Sequence, residues 1–145
     1  MEQISVKKLR QKAILPTFGS PESAGADLYA CLEAPVEVSP GQTVFIPTGL
    51  AMALPTGYVG LVYARSGLAC KQDLAPANKV GVIDSDYRGE FLVALHNHGG
   101  ETRTVSHGDR IAQLVVTPVL RPRYVQVDTL DETQRGEGGF GSTGK

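Results

Sequence analysis

The chain has 145 residues, 14 Lys+Arg against 15 Asp+Glu for a formal net charge of −1, and two cysteines without CxxC spacing. That length reads as one domain able to bury its own core, and the charge balance excludes a surface steered to nucleic acid or anionic lipid. Apolar runs stay far short of the roughly 20 residues that cross a bilayer, the first residues lack a signal-peptide core, and Cys31 and Cys70 build no disulfide framework. A reducing, cytoplasmic setting is therefore expected.

Frequent glycine and proline between short apolar runs predicts an all-β sandwich or barrel. In chain order, Ile4 and Val6 alternate with polar residues, and Ala26, Leu28 and Ala30 repeat that period of two. Val36–Val38 is a short strand closed by Ser39-Pro40-Gly41-Gln42, and Thr43–Ile46 returns from it. Leu50–Leu54 and Tyr58–Tyr63 flank the turn Pro55-Thr56-Gly57. Ser66–Lys71 is the one predicted helix, with Ser66 placed to cap it. Val80–Ile83 and Glu90–His96 are predicted to form a hairpin whose polar tip runs from Asp84 to Gly89. Arg103–Ser106, Ile111–Val119 and Tyr124–Val127 complete about ten strands. Residues 1–130 are assigned to the barrel. Residues 131–145 are glycine-rich with Phe140 as the only large apolar side chain, and are expected to be a mobile tail.

Five segments carry chemistry. Ala24-Gly25-Ala26-Asp27-Leu28 sets a carboxylate in a strand, where aspartate is disfavoured; an exposed edge charge would also explain it. Ala64-Arg65-Ser66-Gly67-Leu68 joins a strand to a helix start, offering a guanidinium, a hydroxyl and free N–H groups to an anion, or serving as an ordinary turn. Asn78-Lys79-Val80-Gly81-Val82-Ile83-Asp84-Ser85-Asp86-Tyr87-Arg88-Gly89 is the densest segment. A plain polar turn explains its aspartates but not its tyrosine. Gly108-Asp109-Arg110-Ile111-Ala112-Gln113-Leu114 puts an amide into an apolar run, where it needs partners if buried. Arg135-Gly136-Glu137-Gly138-Gly139-Phe140-Gly141-Ser142-Thr143-Gly144 has the chemistry of a phosphate-cradling loop without the Walker A pattern, and otherwise reads as a linker. His96 and His98 share a strand face but have no visible third ligand for a metal.

These five segments, in this order from about Ser23 to Gly144, resemble the motifs of the trimeric dUTP pyrophosphatases (dUTPases). The departures are Ala64, where Pro or Gly is commoner, and Ala26, where a larger residue is common. The resemblance implies a jelly-roll-like β-barrel assembled as a homotrimer, with each active site shared between subunits. It implies hydrolysis of dUTP to dUMP and pyrophosphate, which limits uracil in DNA and supplies dUMP for thymidylate synthesis.

Residue by residue, the resemblance makes Asp84 the general base that aligns a water on the α-phosphorus. Asn78 and the backbone of Gly81, Val82, Ile83 and Asp84 would read the uracil edge, with Leu92 a weaker candidate. Tyr87 would pack on the deoxyribose and exclude a 2′-hydroxyl. Arg65, Ser66, Gly67 and Gln113 would hold phosphates. Mg²⁺ would be chelated mainly by the triphosphate, with Asp27 reaching its waters. Arg135, Gly141, Ser142 and Thr143 would clasp the γ-phosphate end while Phe140 stacks over uracil, making the tail a lid. Asp86, Arg88, Asp109 and Arg110 are expected to play supporting or interface roles. Two alternatives stand beside this reading. One is a dCTP deaminase of the same superfamily, though no glutamate base accompanies the third segment. The other is a catalytically inactive nucleotide-binding trimer, though Asp84 and the fifth segment are intact.

Overall fold

Alternating apolar residues and closely spaced turns produce short antiparallel strands that wrap one core. The computed structural model describes residues 3–141. Its strands are β1 (Ser5–Lys8), β2 (Thr17–Phe18), β3 (Ala26–Tyr29), β4 (Val36–Val38), β5 (Thr43–Pro47), β6 (Leu50–Ala53), β7 (Tyr58–Tyr63), β8 (Leu74–Pro76), β9 (Gly81–Ile83), β10 (Leu92–Asn97), β11 (Arg103–Val105) and β12 (Arg110–Pro118). One helix, α1 (Ser66–Gln72), lies between β7 and β8. Five strands form the largest sheet in the order β2-β3-β12-β7-β9, and β5-β10-β8 form a second. The ribbons β1-β6 and β4-β11 complete the wall. The all-β expectation holds. Among the described residues, no helix is long and apolar enough to cross a membrane.

The sheets close over Leu28, Ile46, Leu50, Leu74, Leu95 and Ile111, all essentially without solvent contact. Each such side chain contributes roughly 1.5–3 kcal/mol by leaving water. Two buried polar residues pin the turns. Asn97 donates through Nδ2 to the carbonyls of Val38 (2.8 Å) and Glu101 (2.7 Å) and accepts from the Gly99 N–H (2.9 Å). Thr48 donates to the Phe91 carbonyl at 2.7 Å, tying the β5–β6 turn to the approach of β10.

Three expectations need correction, and two short strands went unpredicted. Val80–Ile83 and Glu90–His96 do not form a hairpin. β9 pairs with β7 and β10 pairs with β5 and β8, so the segment from Asp84 to Phe91 crosses from one sheet to the other. Short β2 and β8 were not anticipated, because two or three residues carry no readable period. Tyr124–Val127 is not a strand: Pro122 interrupts its approach, and no described strand pairs with it. Ser66 does not cap α1. Arg65 holds the N-cap position in an extended conformation with no side-chain cap, and Ser66 is the first helical residue.

Candidate active site

The third segment builds a cavity of about 250 Å³ lined by Asn78, Gly81, Val82, Ile83, Asp84, Tyr87 and Leu92, together with Phe45, Phe91 and Val93. That is the small end of ligand sites, the scale of a fragment rather than a whole triphosphate. One wall is backbone. β9 is the edge of the five-stranded sheet, and Gly81 lies opposite Val62 of β7. A Cβ on Gly81 would come within 3.2 Å of both the Asn78 amide and Val62, so the bare glycine allows this close packing. The other wall is aromatic. The Tyr87 and Phe91 rings lie 6.1 Å apart and tilted by 37°. Tyr87 donates its hydroxyl to the Glu90 carbonyl at 2.9 Å. Glu90 is itself held, accepting from the Gly49 N–H at 2.8 Å and from Arg10 at 3.0 Å. Gly49 is at φ +69°, and a Cβ there would press on Ala13 and Cys31, so the turn requires glycine. The Asp84 carboxylate is exposed on the cavity wall. Arg88 clasps its own loop, donating to the carbonyls of Ser85 (2.7 Å) and Tyr87 (2.9 Å).

A second cavity of about 310 Å³ is lined by Ser23, Gly25, Asp27, Arg65, Ser66, Arg110 and Gln113. Gln113 of β12 faces Asp27 of β3 on one side and Tyr63 of β7 on the other, which gathers three of the predicted segments. The Asp27 carboxylate is nearly buried and carries two guanidinium partners, Arg65 Nε at 2.6 Å and Arg110 at 3.4 Å. Gln113 meets its need for a partner by donating to the Ala64 carbonyl at 2.8 Å. A Cβ on Gly25 would overlap the Gln113 amide oxygen, so that glycine seats the amide. Gly67 does not line this cavity, but it follows Ser66 at the start of α1, where the first N–H groups have no helical acceptor. The cavity thus gathers positive charge around one carboxylate, as an anion site requires.

Arg110, expected to play a supporting or interface role, lies on the cavity wall. A register shift between Arg110 and Ala112 turns both Ile111 and Ala112 into the core and swings Arg110 onto the Asp27 face. Period-two alternation could not have revealed this. Arg10 and Glu90 were also missed, because their roles depend on contacts between distant parts of the chain; Phe45 and Phe91, which line the first cavity, carried no local signal that set them apart from core.

The two cavities share no lining residue. Gly60 stands opposite Ile83 and Val62 opposite Gly81, so Asp84 leaves the ladder level with Val59, while Arg65 lies beyond Tyr63 at the other end of β7. Four residues of strand, about 13 Å, separate those levels. One copy of the chain keeps its Asp84 away from its own anion cavity. The tail joins neither cavity. Arg135 donates to the Gly138 carbonyl at 2.8 Å, Phe140 is fully exposed, and Gly141 stands beside it at φ +85°. Ser142 and Thr143 lie outside the described residues. His96 and His98 stack edge to face at 4.7 Å, with His96 bonded to Thr43 at 2.9 Å. Among the described residues there is no cluster of three His, Cys, Asp or Glu able to hold a metal.

The chain is thus an antiparallel β-barrel with a small aromatic cavity on a sheet edge and a separate arginine-lined cavity. A family model described as dUTPase matches residues 11–144. The chain is 53% identical to the deoxyuridine 5'-triphosphate nucleotidohydrolase of Syntrophotalea carbinolica, over 97% of this chain and 96% of that one. It is 58% identical to the enzyme of the same name from Desulfitobacterium hafniense, over 90% of this chain and 87% of that one. Among solved structures it superposes on a Staphylococcus bacteriophage 80alpha dUTPase with dUpNHpp at a TM-score of 0.92, with 28% identity and complete coverage of both chains. A phage phi11 dUTPase described with a structural Mg(II) ion matches at a TM-score of 0.80 and 26% identity, over 88% of this chain and 98% of that one. The chain belongs to the dUTPase family.

Proposed function

We propose that this chain hydrolyses dUTP to dUMP and pyrophosphate, with water attacking the α-phosphorus. The observation that carries the reading is the small cavity in which backbone from Gly81 to Asp84, the Asn78 amide and the Tyr87 ring meet an exposed carboxylate. Peptide N–H and C=O groups on a sheet edge offer the donors and acceptors that a uracil edge pairs with. A site built to pair them rejects a base with the reverse pattern strongly. Tyr87, held by Glu90, packs on the deoxyribose and leaves no space for a 2′-hydroxyl. Asp84 takes the proton of the attacking water, and pyrophosphate leaves. The named relatives are nucleotidohydrolases, and the deaminase and inactive alternatives gain nothing from them.

Arg65, Arg110, Ser66 and Gln113 hold the phosphates, positioning them and offsetting their charge. The dUTPase family typically uses a divalent metal. Asp27, paired with Arg65 and Arg110, is a hard oxygen donor, and among the described residues no cluster of three His, Cys, Asp or Glu surrounds it, so it would reach Mg²⁺ only through the waters of an ion held mainly by the triphosphate. When bound, Mg²⁺ neutralises phosphate charge. Arg135, Phe140, Gly141, Ser142 and Thr143 close over the nucleotide as a lid, making residues 131–145 a unit distinct from the barrel. The protein acts in the cytoplasm, a reducing setting that suits the free thiols of Cys31 and Cys70.

The separation of Asp84 from Arg65 supports a site completed by other copies in a homotrimer. Pyrophosphate release from each deoxynucleoside triphosphate, dUTP far above the rest, tests the substrate. Equal turnover of dCTP or TTP would reject it. Refolding Asp84→Asn with Arg135→Ala in equal amounts tests the shared site. Random assortment around a three-fold axis rebuilds about a quarter of the sites. A mixture no more active than its parents, with mixed trimers seen by native mass spectrometry, would reject sharing.

A further inference from the structure

The Tyr87 ring lies directly over Gly89, two residues further along the same loop. A Cβ on Gly89 would overlap the Tyr87 hydroxyl oxygen and stand 2.6 Å from Cζ and 2.9 Å from Cε2. Carbon atoms of real side chains do not approach so closely. The backbone does not demand glycine here, since Gly89 is not among the residues at positive φ. What demands it is the position of the ring. Gly89 does not line the nucleoside cavity, whereas Tyr87 does. The ring therefore has three supports: the bare face of Gly89, the Glu90 carbonyl that accepts its hydroxyl at 2.9 Å, and the Phe91 ring 6.1 Å away. Glu90 is immobilised in turn by Gly49 and Arg10.

We infer that Gly89 is a positioning residue for sugar discrimination, the socket that seats the Tyr87 ring where deoxyribose fits and ribose does not. A methyl group at this position unseats the ring. It costs the deoxyribose substrate its contact and leaves the ribose substrate little to lose. The inference rests on the reading of this cavity as a deoxyuridine site.

The test is a double-mutant cycle of Gly89→Ala and Tyr87→Ala, with kcat and KM measured separately for dUTP and UTP. Gly89→Ala is expected to narrow the dUTP/UTP ratio of kcat/KM about tenfold or more, the worth of one misplaced methyl group in a pocket. Most of the loss should fall on KM for dUTP. In the Tyr87→Ala background, where no ring occupies the socket, the same substitution is expected to change nothing. The loop is exposed and the backbone conformation suits alanine, so the thermal midpoint should stay within a few degrees. A Gly89→Ala protein that keeps the full dUTP/UTP ratio overturns the inference, as does an equal loss in both backgrounds. Wild-type protein that turns over UTP as readily as dUTP overturns the reading of the cavity as well, so the two failures are distinguishable.

Discussion

The two cavities solve recognition by different physics. The cavity proposed for the nucleoside is walled by a sheet edge and two rings, with few charged groups, which suits selection by shape and by peptide hydrogen bonds. The cavity proposed for the phosphates holds a nearly buried carboxylate between two guanidiniums, which suits selection by charge. Uracil is nearly flat and neutral, and discriminating it needs rigid walls. A triphosphate is recognised by any well-placed cluster of cations.

The sharpest break comes from Asp84→Asn. It removes the proposed base from the first cavity without changing its shape, and turnover should fall by on the order of 10²–10⁴. Calorimetry should still detect nucleotide, and the thermal midpoint should hold, because the Asp84 carboxylate is exposed. Near-normal pyrophosphate release would remove Asp84 from the chemistry.

Ending the chain after Gln134 leaves both cavities intact, since Arg135 and Phe140 line neither. Turnover should drop on the order of 10²-fold, the cost of losing a group that fixes the reacting geometry. Circular dichroism should show an unchanged melting transition. A truncated chain that no longer folds would make the tail part of the barrel.

Arg65→Ala sharpens the contrast through stability. It strips the shorter of two bonds from the Asp27 carboxylate and should cost about 1–3 kcal/mol in urea unfolding. Adding Asp27→Asn should recover part of that loss, because no unpaired charge then stays buried. The KM for dUTP should also rise more steeply with salt for the wild type than for Arg65→Ala, whereas Tyr87→Phe should leave the salt dependence untouched.

The smallest effect lies outside both cavities. Lys12 stands 2.7 Å from Glu33 and holds its carboxyl below the usual glutamate range. The sign follows from that depression: the pair's contribution is complete above the unfolded glutamate pKa and disappears as pH falls through the lowered folded value. Glu33 is exposed, so Glu33→Gln should barely alter an acid titration of the folded state. A large shift of the acid midpoint would show this pair matters more than its exposure implies.

Most of the barrel was legible because period two marks any strand with one buried face, as at Ile46 and Leu95. The motif residues were legible because glycine, aspartate, tyrosine and arginine stood where a plain turn did not need them. The expected hairpin failed because alternation names strands without naming partners, and β9 found β7 while β10 found β5 and β8. Arg110 was hidden by a one-residue register shift. Arg10 and Glu90 meet across 80 positions, a distance no local pattern can bridge.

β9 is an outermost strand, bonded to β7 on one side only. Free strand edges are hazards that invite another chain to pair, and proteins keep them short or covered. Here the edge is three residues long and borders the cavity proposed for the nucleoside. Recognition through main-chain groups uses N–H groups that every residue but proline carries. In the proposed readout Val82, 64% exposed, is free to drift among side chains, whereas proline at that position would remove a donor. A surface that reads a base in this way is buffered against most single mutations, and its vulnerable points are the glycines and the tyrosine seat around it.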